Sequence, residues 1–449
     1  MVQQFLISSS SVDITPRRPV MLGGFNKRTA PFTSVASRLE ANVLLIRGAS
    51  SRVIIVSTDL LYPGETLRSQ LVKNLGLEDR SEELFLSASH THSAPMTAPS
   101  IPHLGIADHE YVQFVATQIT ELVKSIEDKG ERCVCTYHVG SADHSMNRRL
   151  VRSRLTRSGF ARSSGFGPNP SGDRDESVRI IEFSKTNGQS CAVIWNYACH
   201  PTDFPGFLQV SAEYPGIVRA RLRSQLGDIP VLFLQGFSGD VRPPFSGRAA
   251  GIAGFARRVL VGPQFRQPLR REWEQWSNSL AESVASFARS SGRTLQIDSL
   301  AVKRIAVPEN EFAAGGSGDK SLVWHLIDCG GFRIVGINAE PVVKYRRLLE
   351  ESFSRAEPLL TVGCLDQPVC YLPSDNMIPE QGYEVEGFRS LFNFDARFRN
   401  QLQDSVIRRL KEALISLSTP APMISEVRSG TNSEERYELR RPPVLNRRA

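Results

Sequence analysis

The sequence predicts an α/β protein in which one large, mixed and twisted β-sheet is flanked by helices on both faces. Short apolar, β-branched segments alternate along the chain with longer segments of helical periodicity. Hydrophobic residues make up 41% and charged residues 22% of the 449 positions, which is ordinary for a soluble globular protein. A chain of this length can bury a core that needs no disulfide bonds. We therefore expect one domain over residues 1–418.

The strand candidates are short runs rich in β-branched and aromatic residues. They are Val43–Ile46, Val53–Ser57, Leu84–Ala88, Cys133–His138, Val178–Phe183, Ala192–Trp195, Val231–Leu234, Ile297–Val307 and Phe332–Ile337. The helix candidates repeat apolar residues at helical spacing. They are Glu110–Ile126, Ile217–Gln225, Trp273–Ala288, Pro341–Ser352 and Asp395–Leu417.

Two segments carry no such periodicity. Residues 158–175 are rich in Gly, Ser and Pro, which predicts a long loop that is either a lid over a site or disordered. Residues 419–449 are polar, charge-rich and interrupted by prolines, which predicts a disordered basic tail.

Charge and targeting signals restrict the class of function. The net charge is +7, but aromatic residues are not interleaved among the arginines, which argues against nucleic-acid binding. The net positive charge instead favours an anionic substrate or peripheral contact with a membrane surface. The first residues lack the pattern of a signal peptide, and no stretch approaches the roughly 20 apolar residues of a spanning helix. We expect a cytoplasmic protein, and a secreted protein in its mature form stays an open alternative.

The seven cysteines are an odd number and lack paired C-x-x-C spacing, so a zinc finger is not expected and a reducing compartment is favoured. Histidines give a different metal signal. His90 and His92 follow the strand candidate Leu84–Ala88. Side chains two residues apart on an extended segment point to the same side. His200 follows another strand candidate and precedes Pro201. Taken one by one, the pair is explained equally well as surface or core histidines, and His200 as a capping or core histidine. Because ligands commonly bind at strand ends, the three histidines together can share one metal ion.

Further polar residues also follow strand candidates. The segment Gly236–Asp240 does not fit G-x-S-x-G, so Ser238 and Asp240 are expected to serve turns and caps rather than nucleophilic attack. Glu340 follows a strand and is predicted to open a helix, where the helix dipole favours a carboxylate even without a catalytic role. Tyr371 and Tyr383 can equally be packing residues.

In order, spacing and context these segments resemble the neutral ceramidase family, over roughly residues 10–415. The matching segments are Asp13-Ile14-Thr15-Pro16 with Gly24-Phe25, Asp59, Ser89 to Pro95, Asn147-Arg148, His200-Pro201-Thr202, Gly239 to Pro243, Glu340, and Tyr371 with Tyr383-Glu384. No single motif is decisive, but the co-linear set is.

The resemblance implies a zinc-dependent hydrolase that cleaves a linear amide bond, in ceramide or another N-acyl compound, by a zinc-activated water. The Zn²⁺ ligands that it implies are His90, His200, Glu340 and Tyr371. It also implies that His92 and Tyr383 transfer protons and stabilise the oxyanion, with Arg148 as a further donor. The expected partner is a small N-acyl or lipid-like molecule.

The sequence departs from the family pattern at three points. Arg242 occupies the position of a family serine that ceramide hydrolysis needs, and a guanidinium pairs well with carboxylates or phosphates. This substitution favours a smaller or anionic N-acyl substrate. The residues after the last predicted helix leave no room for the family's C-terminal immunoglobulin-like domain, and no secretion signal is visible. Two other functions stay open, namely a zinc ester or phosphoester hydrolase and a catalytically silent ligand-binding protein.

Overall fold

The computed structural model describes residues 5–156, 159–247, 262–353 and 357–418, and the side chains of these residues outside 154–161 and 415–418. The strands are β1 Leu6–Asp13, β2 Ser34–Val35, β3 Glu40–Arg47, β4 Arg52–Thr58, β5 Leu84–Ala88, β6 Cys133–Ser141, β7 Met146–Thr156, β8 Gly159–Asn169, β9 Ser177–Lys185, β10 Ser190–Tyr197, β11 Gln209–Val210, β12 Val231–Gln235, β13 Val241–Arg242, β14 Arg293–Leu295, β15 Ile297–Pro308, β16 Ala313–Ala314, β17 Ser321–Gly330, β18 Arg333–Ile337, β19 Glu340–Pro341, β20 Leu359–Val362, β21 Tyr371–Leu372 and β22 Arg397–Phe398.

The longer helices are α1 Glu65–Asn74, α2 His109–Ile126, α3 Glu213–Leu226, α4 Arg270–Ala288, α5 Lys344–Ser352 and α6 Leu402–Ser418. Shorter helical segments are Glu78–Glu83, Pro102–Leu104, Glu309–Phe312, Met377–Glu380 and Tyr383–Gly387.

Three larger sheets organise the protein. Their strand orders are β1-β3-β4-β5, β12-β10-β9-β6-β14 and β15-β17-β18-β20. Each sheet is mainly antiparallel but contains one parallel pair, which is β4 with β5, β10 with β12, and β18 with β20. The carboxyl ends of parallel neighbours lie at the same edge of a sheet, so each sheet offers one such edge for a site.

Each sheet packs its outer face on a pair of helices and its inner face on the other two sheets. In the first sheet, Leu84 and Leu86 of β5 pack with residues of α1 and α2, whereas Phe85 between them points to the centre. The second sheet packs likewise on α3 and α4, and the third on α5 and α6. The central core joins Phe85 to Leu232 of β12 and Leu360 of β20. The alternation of side chains along a strand therefore gives strands such as β5 and β12 two buried faces.

The predicted mixed α/β fold is confirmed, and every strand and helix candidate overlaps an observed element. The strands are divided among several sheets, where one large sheet was expected. The reason is physical: an apolar strand signals that both of its faces are buried, but not whether a helix or a second sheet covers each face. Among the strands of four or more residues, β1, β7, β8, β17 and β20 had no candidate in the sequence analysis, and neither had helix α1.

The loop predicted over residues 158–175 is wrong for most of its length. Strand β8 occupies Gly159–Asn169 and pairs antiparallel with β7, so this segment is a β-hairpin arm. Gly and Ser residues weaken strand propensity, but pairing with a long neighbouring strand overrides it. Ser158 and the predicted tail over 419–449 lie outside the described residues.

No helix in the described part of the chain is both long and apolar enough to cross a lipid bilayer. The seven cysteines are free thiols.

Candidate metal centre

Three metal-binding side chains meet where the three sheets converge. His90 follows β5, His200 follows β10, and Glu340 follows β18, so the three residues come from three different sheets. In each sheet the preceding strand belongs to the parallel pair. The nearest donor atoms of the three residues lie within 4.8 Å of one another, and all three side chains are buried. The predicted location of the site at strand ends is therefore what the fold provides.

His90 reaches this point through an unusual backbone conformation. Its φ is 65°, in the left-handed region that non-glycine residues adopt rarely, so the extended geometry expected for this segment is wrong. The two imidazole rings nevertheless face the same site, as expected, and the ring centres of His90 and His92 are 5.0 Å apart. His90 Nδ1 lies 3.1 Å from the carbonyl oxygen of Leu61. That carbonyl fixes the proton on Nδ1 and leaves the Nε2 lone pair directed at the centre.

His200 is oriented in the same way by the turn that follows β12. Its Nδ1 lies 2.7 Å from the carbonyl oxygen of Ser238 and 3.0 Å from that of Val241. Both oxygens can only accept, so Nδ1 carries the proton and Nε2 is bare. Burial and the nearby Arg148 together lower the pKa of His200 to about 4, which keeps the ring neutral.

Glu340 lies in the two-residue strand β19, and the helix that it was predicted to open begins only at Lys344. In register it pairs with Tyr371 of β21, so two of the four predicted ligands are neighbours across one parallel bridge. Gly239 packs against this strand, and a Cβ atom at Gly239 would lie 2.6 Å from the Glu340 carbonyl oxygen. Only glycine lets the turn after β12 approach β19 so closely.

The arrangement fits a bound cation. Glu340 Oε2 lies 3.1 Å from His200 Nε2 and 3.5 Å from His90 Nε2, and His90 Nε2 makes no hydrogen bond within the described chain. Two imidazole lone pairs and a carboxylate oxygen thus converge in a buried space, where they repel one another unless a cation lies between them. Imidazole nitrogen and carboxylate oxygen are ligands that Zn²⁺ accepts. The three residues can therefore hold a metal ion.

Two tyrosines flank the carboxylate. The hydroxyl of Tyr62 donates to Glu340 Oε1, a contact that the sequence analysis missed. Tyr371 is 4% exposed, and burial together with the Glu340 charge raises its pKa well above the ordinary value. A coordinating phenol must lose its proton or share it, and a cation bound beside Glu340 would favour this by lowering the pKa of Tyr371.

His92 lies on the other side of the cluster. Its ring centre is 6.2 Å from that of His200 and 5.0 Å from that of Phe25. Both ring nitrogens are shielded, and neither has a hydrogen-bond partner among the described residues. Burial lowers the pKa of His92 well below its ordinary value, and His90 and His200 lower it further. The ring is therefore neutral and has a free lone pair.

Tyr383 and Arg148 complete the wall of the site. The ring centres of Tyr383 and Tyr371 are 5.3 Å apart, and the Arg148 guanidinium carbon lies 5.2 Å from the Tyr383 ring centre. Arg148 Nε donates to Glu384 Oε1 at 2.8 Å, whereas its buried Nη2 has no partner in the part of the chain that the structure describes. Arg149 donates to the other oxygen of Glu384 at 2.8 Å. One carboxylate therefore orients both guanidinium groups.

The ring of Phe166 lies between Arg242 and Tyr383. The guanidinium carbon of Arg242 is 5.5 Å from the ring centre of Phe166, which in turn packs on Tyr383. Both oxygens of the buried Asp203 accept hydrogen bonds from Arg242, with Nε 3.3 Å from Oδ2. The charge of Arg242 is therefore neutralised within the protein, which removes the argument for an anionic substrate.

The turn residues behave as the sequence suggested. Asp240 accepts hydrogen bonds from the main-chain N–H of Val343 at 2.8 Å and from the side-chain amide of Asn147 at 2.9 Å, so it ties three segments together. Tyr62 was not predicted, although it follows the end of β4 and the tendency of sites to lie at strand ends could have identified it.

The chain thus combines a mixed α/β fold with a buried centre that can hold a metal ion. Sequence comparison matches it to no protein-family model and to no curated protein. Solved structures share its fold, and two of them are ceramidases. Neutral ceramidase from Pseudomonas aeruginosa superposes with a TM-score of 0.68 and 13% identity, over 91% of this chain and 73% of that one. A ceramidase complexed with C2 gives 0.67 and 14%, over 92% and 76%. The predicted resemblance to neutral ceramidases is therefore confirmed at the level of the fold.

Proposed function

We propose that this protein is a zinc-dependent hydrolase that cleaves the linear amide bond of an N-acyl compound. The observation that carries the proposal is the convergence of two bare imidazole nitrogens with Glu340, beside Tyr371, in the fold of a neutral ceramidase. In this assignment His90, His200, Glu340 and Tyr371 hold the metal. A bound Zn²⁺ would polarise a carbonyl oxygen and acidify a water molecule toward a pKa of about 7.

The surrounding side chains supply proton transfer and charge stabilisation. The neutral ring of His92 can accept a proton from the attacking water and return it to the leaving amine. Burial raises the pKa of Tyr383 to about 12, so its hydroxyl stays protonated and can donate to the oxyanion that develops on the carbonyl. The unpartnered Nη2 of Arg148 offers a second donor, and Glu384 keeps that guanidinium in place.

The substrate that this site supports best is a neutral N-acyl compound, with ceramide as the first candidate. Asp203 already compensates Arg242, the residue that suggested an anionic substrate, whereas Glu384 is shared by Arg148 and Arg149. A phosphoester hydrolase is less well supported. Such enzymes often use two metals, and one cluster of metal-binding side chains is found in the described chain.

The proposal is tested by zinc content and turnover together. We expect about one zinc per chain, hydrolysis of a fluorogenic ceramide or a short N-acyl amide, and loss of activity with a chelator. His200→Ala should lose both metal and turnover. The exposed His103 provides a matched control, since His103→Ala should lose neither. Full turnover by metal-free His200→Ala protein would refute the assignment, and zinc without turnover of any amide would refute the proposed reaction.

A further inference from the structure

The position of His92 is not fixed by its own side chain. Its ring nitrogens make no hydrogen bond with any described residue, in contrast to His90 and His200, whose Nδ1 atoms are held by main-chain carbonyls. The ring instead fits against Gly24, where a Cβ atom would lie 2.5 Å from His92 Nδ1. Packing can exclude wrong positions, but the ring can be placed beside the metal ligands only if the main chain of His92 is held.

A buried carboxylate holds that main chain from one side. Glu213, the first residue of α3, is 2% exposed. Its Oε1 accepts hydrogen bonds from three consecutive residues: the main-chain N–H of His92 at 3.1 Å, the hydroxyl of Thr91 at 3.3 Å and that of Ser93 at 3.2 Å. One oxygen atom therefore contacts all three residues of this turn, and it shares the main-chain N–H of His92 with the carbonyl oxygen of Pro201, also at 3.1 Å.

A buried guanidinium holds the same residue from the other side. Arg28 Nη1 donates to the carbonyl oxygen of His92 at 2.6 Å and also to that of Gly23. Arg28 Nε donates to the carbonyl oxygen of Phe207 at 2.8 Å. Arg28 is 7% exposed. The N–H and the C=O of His92 are thus each bound by a buried polar side chain. The Arg28 guanidinium is charged, and hydrogen bonds from charged groups are the stronger kind, whereas burial raises the pKa of Glu213 to about 8.

The backbone at Glu213 shows that this contact is costly to maintain. Glu213 has a φ of 51°, a left-handed conformation that costs about 1–2 kcal/mol in a non-glycine residue. Its main-chain N–H is held by the hydroxyl of Ser211 at 3.0 Å. Glutamate is seldom fully buried, and a turn or helix start needs no such residue. Glu213 is buried, has a strained backbone and contacts the turn that carries His92. These features are explained if that turn needs the contact in order to keep its position.

We propose that Glu213 and Arg28 form a clamp that positions His92 for proton transfer. Both are positioning residues, because they contact the main chain of His92 and not the reacting groups. The catalytic consequence rests on the proposed hydrolase function, whereas the structural claim does not. His90 is anchored separately through Leu61, so loss of the clamp should misplace His92 and leave the metal ligands in place.

The test compares Glu213→Leu, which removes the acceptor, with Glu213→Gln, which keeps a carbonyl oxygen at the same position. In zinc-loaded protein labelled with ¹⁵N-histidine, Glu213→Leu should shift or broaden the His92 resonances and leave those of His90 and His200 unchanged. Zinc affinity should stay within about threefold of wild type, and kcat should fall by about 100-fold at an unchanged KM. Glu213→Gln should restore the His92 resonances and most of kcat.

Glu182→Leu is the matched control. Glu182 is a half-buried carboxylate that accepts hydrogen bonds from Ser184 and Ser190 and lies 3.6 Å from His138, so its loss should perturb the His138 resonances alone. If Glu213→Leu does not fold, Arg28→Met removes the other half of the clamp with the same expected result.

Unchanged His92 resonances in Glu213→Leu would overturn the clamp. Moved His92 resonances with wild-type kcat would overturn the catalytic role of the clamp. If wild-type protein hydrolyses no amide, the proposed function fails, and the histidine spectra still decide whether the clamp holds His92.

Discussion

The hydroxyl of Tyr62 provides a sensitive test of the metal centre. It donates to Glu340 Oε1, while the Tyr62 ring packs 5.1 Å from the His90 ring centre and 6.2 Å from that of Phe392. Tyr62→Phe removes the donor and keeps these ring contacts. The change therefore alters the surroundings of one ligand oxygen without emptying the core.

The size of the effect follows from what the hydroxyl does. A residue that orients a metal ligand typically contributes 10–100-fold to metal affinity, which is about 1.4–2.7 kcal/mol. In the metal-free protein, the same substitution leaves a fully buried carboxylate oxygen without its donor. That loss should lower the free energy of unfolding by about 1–3 kcal/mol.

Zinc affinity is measured by competition with a chelator, and stability by urea unfolding of the metal-free protein. Tyr111→Phe is the matched control, because this buried tyrosine donates to the carbonyl oxygen of Ile14 at 2.8 Å and contacts no metal ligand among the described residues. It should lose about 1 kcal/mol of stability and no zinc affinity. If the Tyr62→Phe variant binds zinc as tightly as wild type, Tyr62 does not support Glu340 as a metal ligand, and the assignment is refuted.

Three further predictions follow from buried contacts. Gly239→Ala should weaken zinc binding by at least about tenfold, because the new methyl group displaces the strand that carries Glu340. Arg242→Ser should lower the free energy of unfolding by about 3–5 kcal/mol, since it leaves the buried Asp203 unpaired, and adding Asp203→Asn should recover part of that loss. Burial lowers the pKa of His325 to about 3, so the unfolded chain binds the proton more tightly and stability falls as pH drops below about 6.5. His325→Gln should therefore remove about 2 kcal/mol of the stability difference between pH 6.5 and 4.5.

Each of these predictions has its own control or contradicting result. Gly165→Ala places its Cβ no closer than 3.9 Å to a neighbouring atom, so it should bind zinc normally. Wild-type stability of Arg242→Ser in urea would show that the ion pair is unimportant, and equal stability of Arg242→Ser and the double variant would show that an unpaired Asp203 carries no cost. A pH profile of His325→Gln that parallels wild type would contradict the buried neutral imidazole.

Much of the fold could be predicted because hydrophobic period and segment length are local properties. The strand Leu84–Ala88 was predicted at its observed bounds, since an apolar run of that length between polar segments has few other solutions. Strand β8 was missed because its Gly and Ser residues favour a loop, and only pairing with β7 makes it a strand. The helix after Glu340 was predicted too early, because β19 pairs with β21, which is distant in sequence.

The candidate site was predicted in part. The resemblance to a known family brought together His90, His200, Glu340 and Tyr371, and the structure places the first three within one cluster and the fourth opposite Glu340. Residue patterns alone left His200 and Glu340 with ordinary structural explanations, since neither has a neighbour in sequence that reveals a metal. Glu213 and Arg28 carried no sequence signal, because an acidic helix start and an arginine are common at any surface.

The sequence by itself determined the α/β class, the strand ends at which polar residues accumulate, and a co-linear set of residues that resembles a metal hydrolase. Only the tertiary structure decided that three sheets share one core, that Asp203 neutralises Arg242, and that Tyr62, Glu213 and Arg28 support the centre. The reason is that a local pattern fixes the period and the ends of an element. Charge compensation and ligand orientation depend instead on contacts between segments far apart in the chain, which no local pattern specifies.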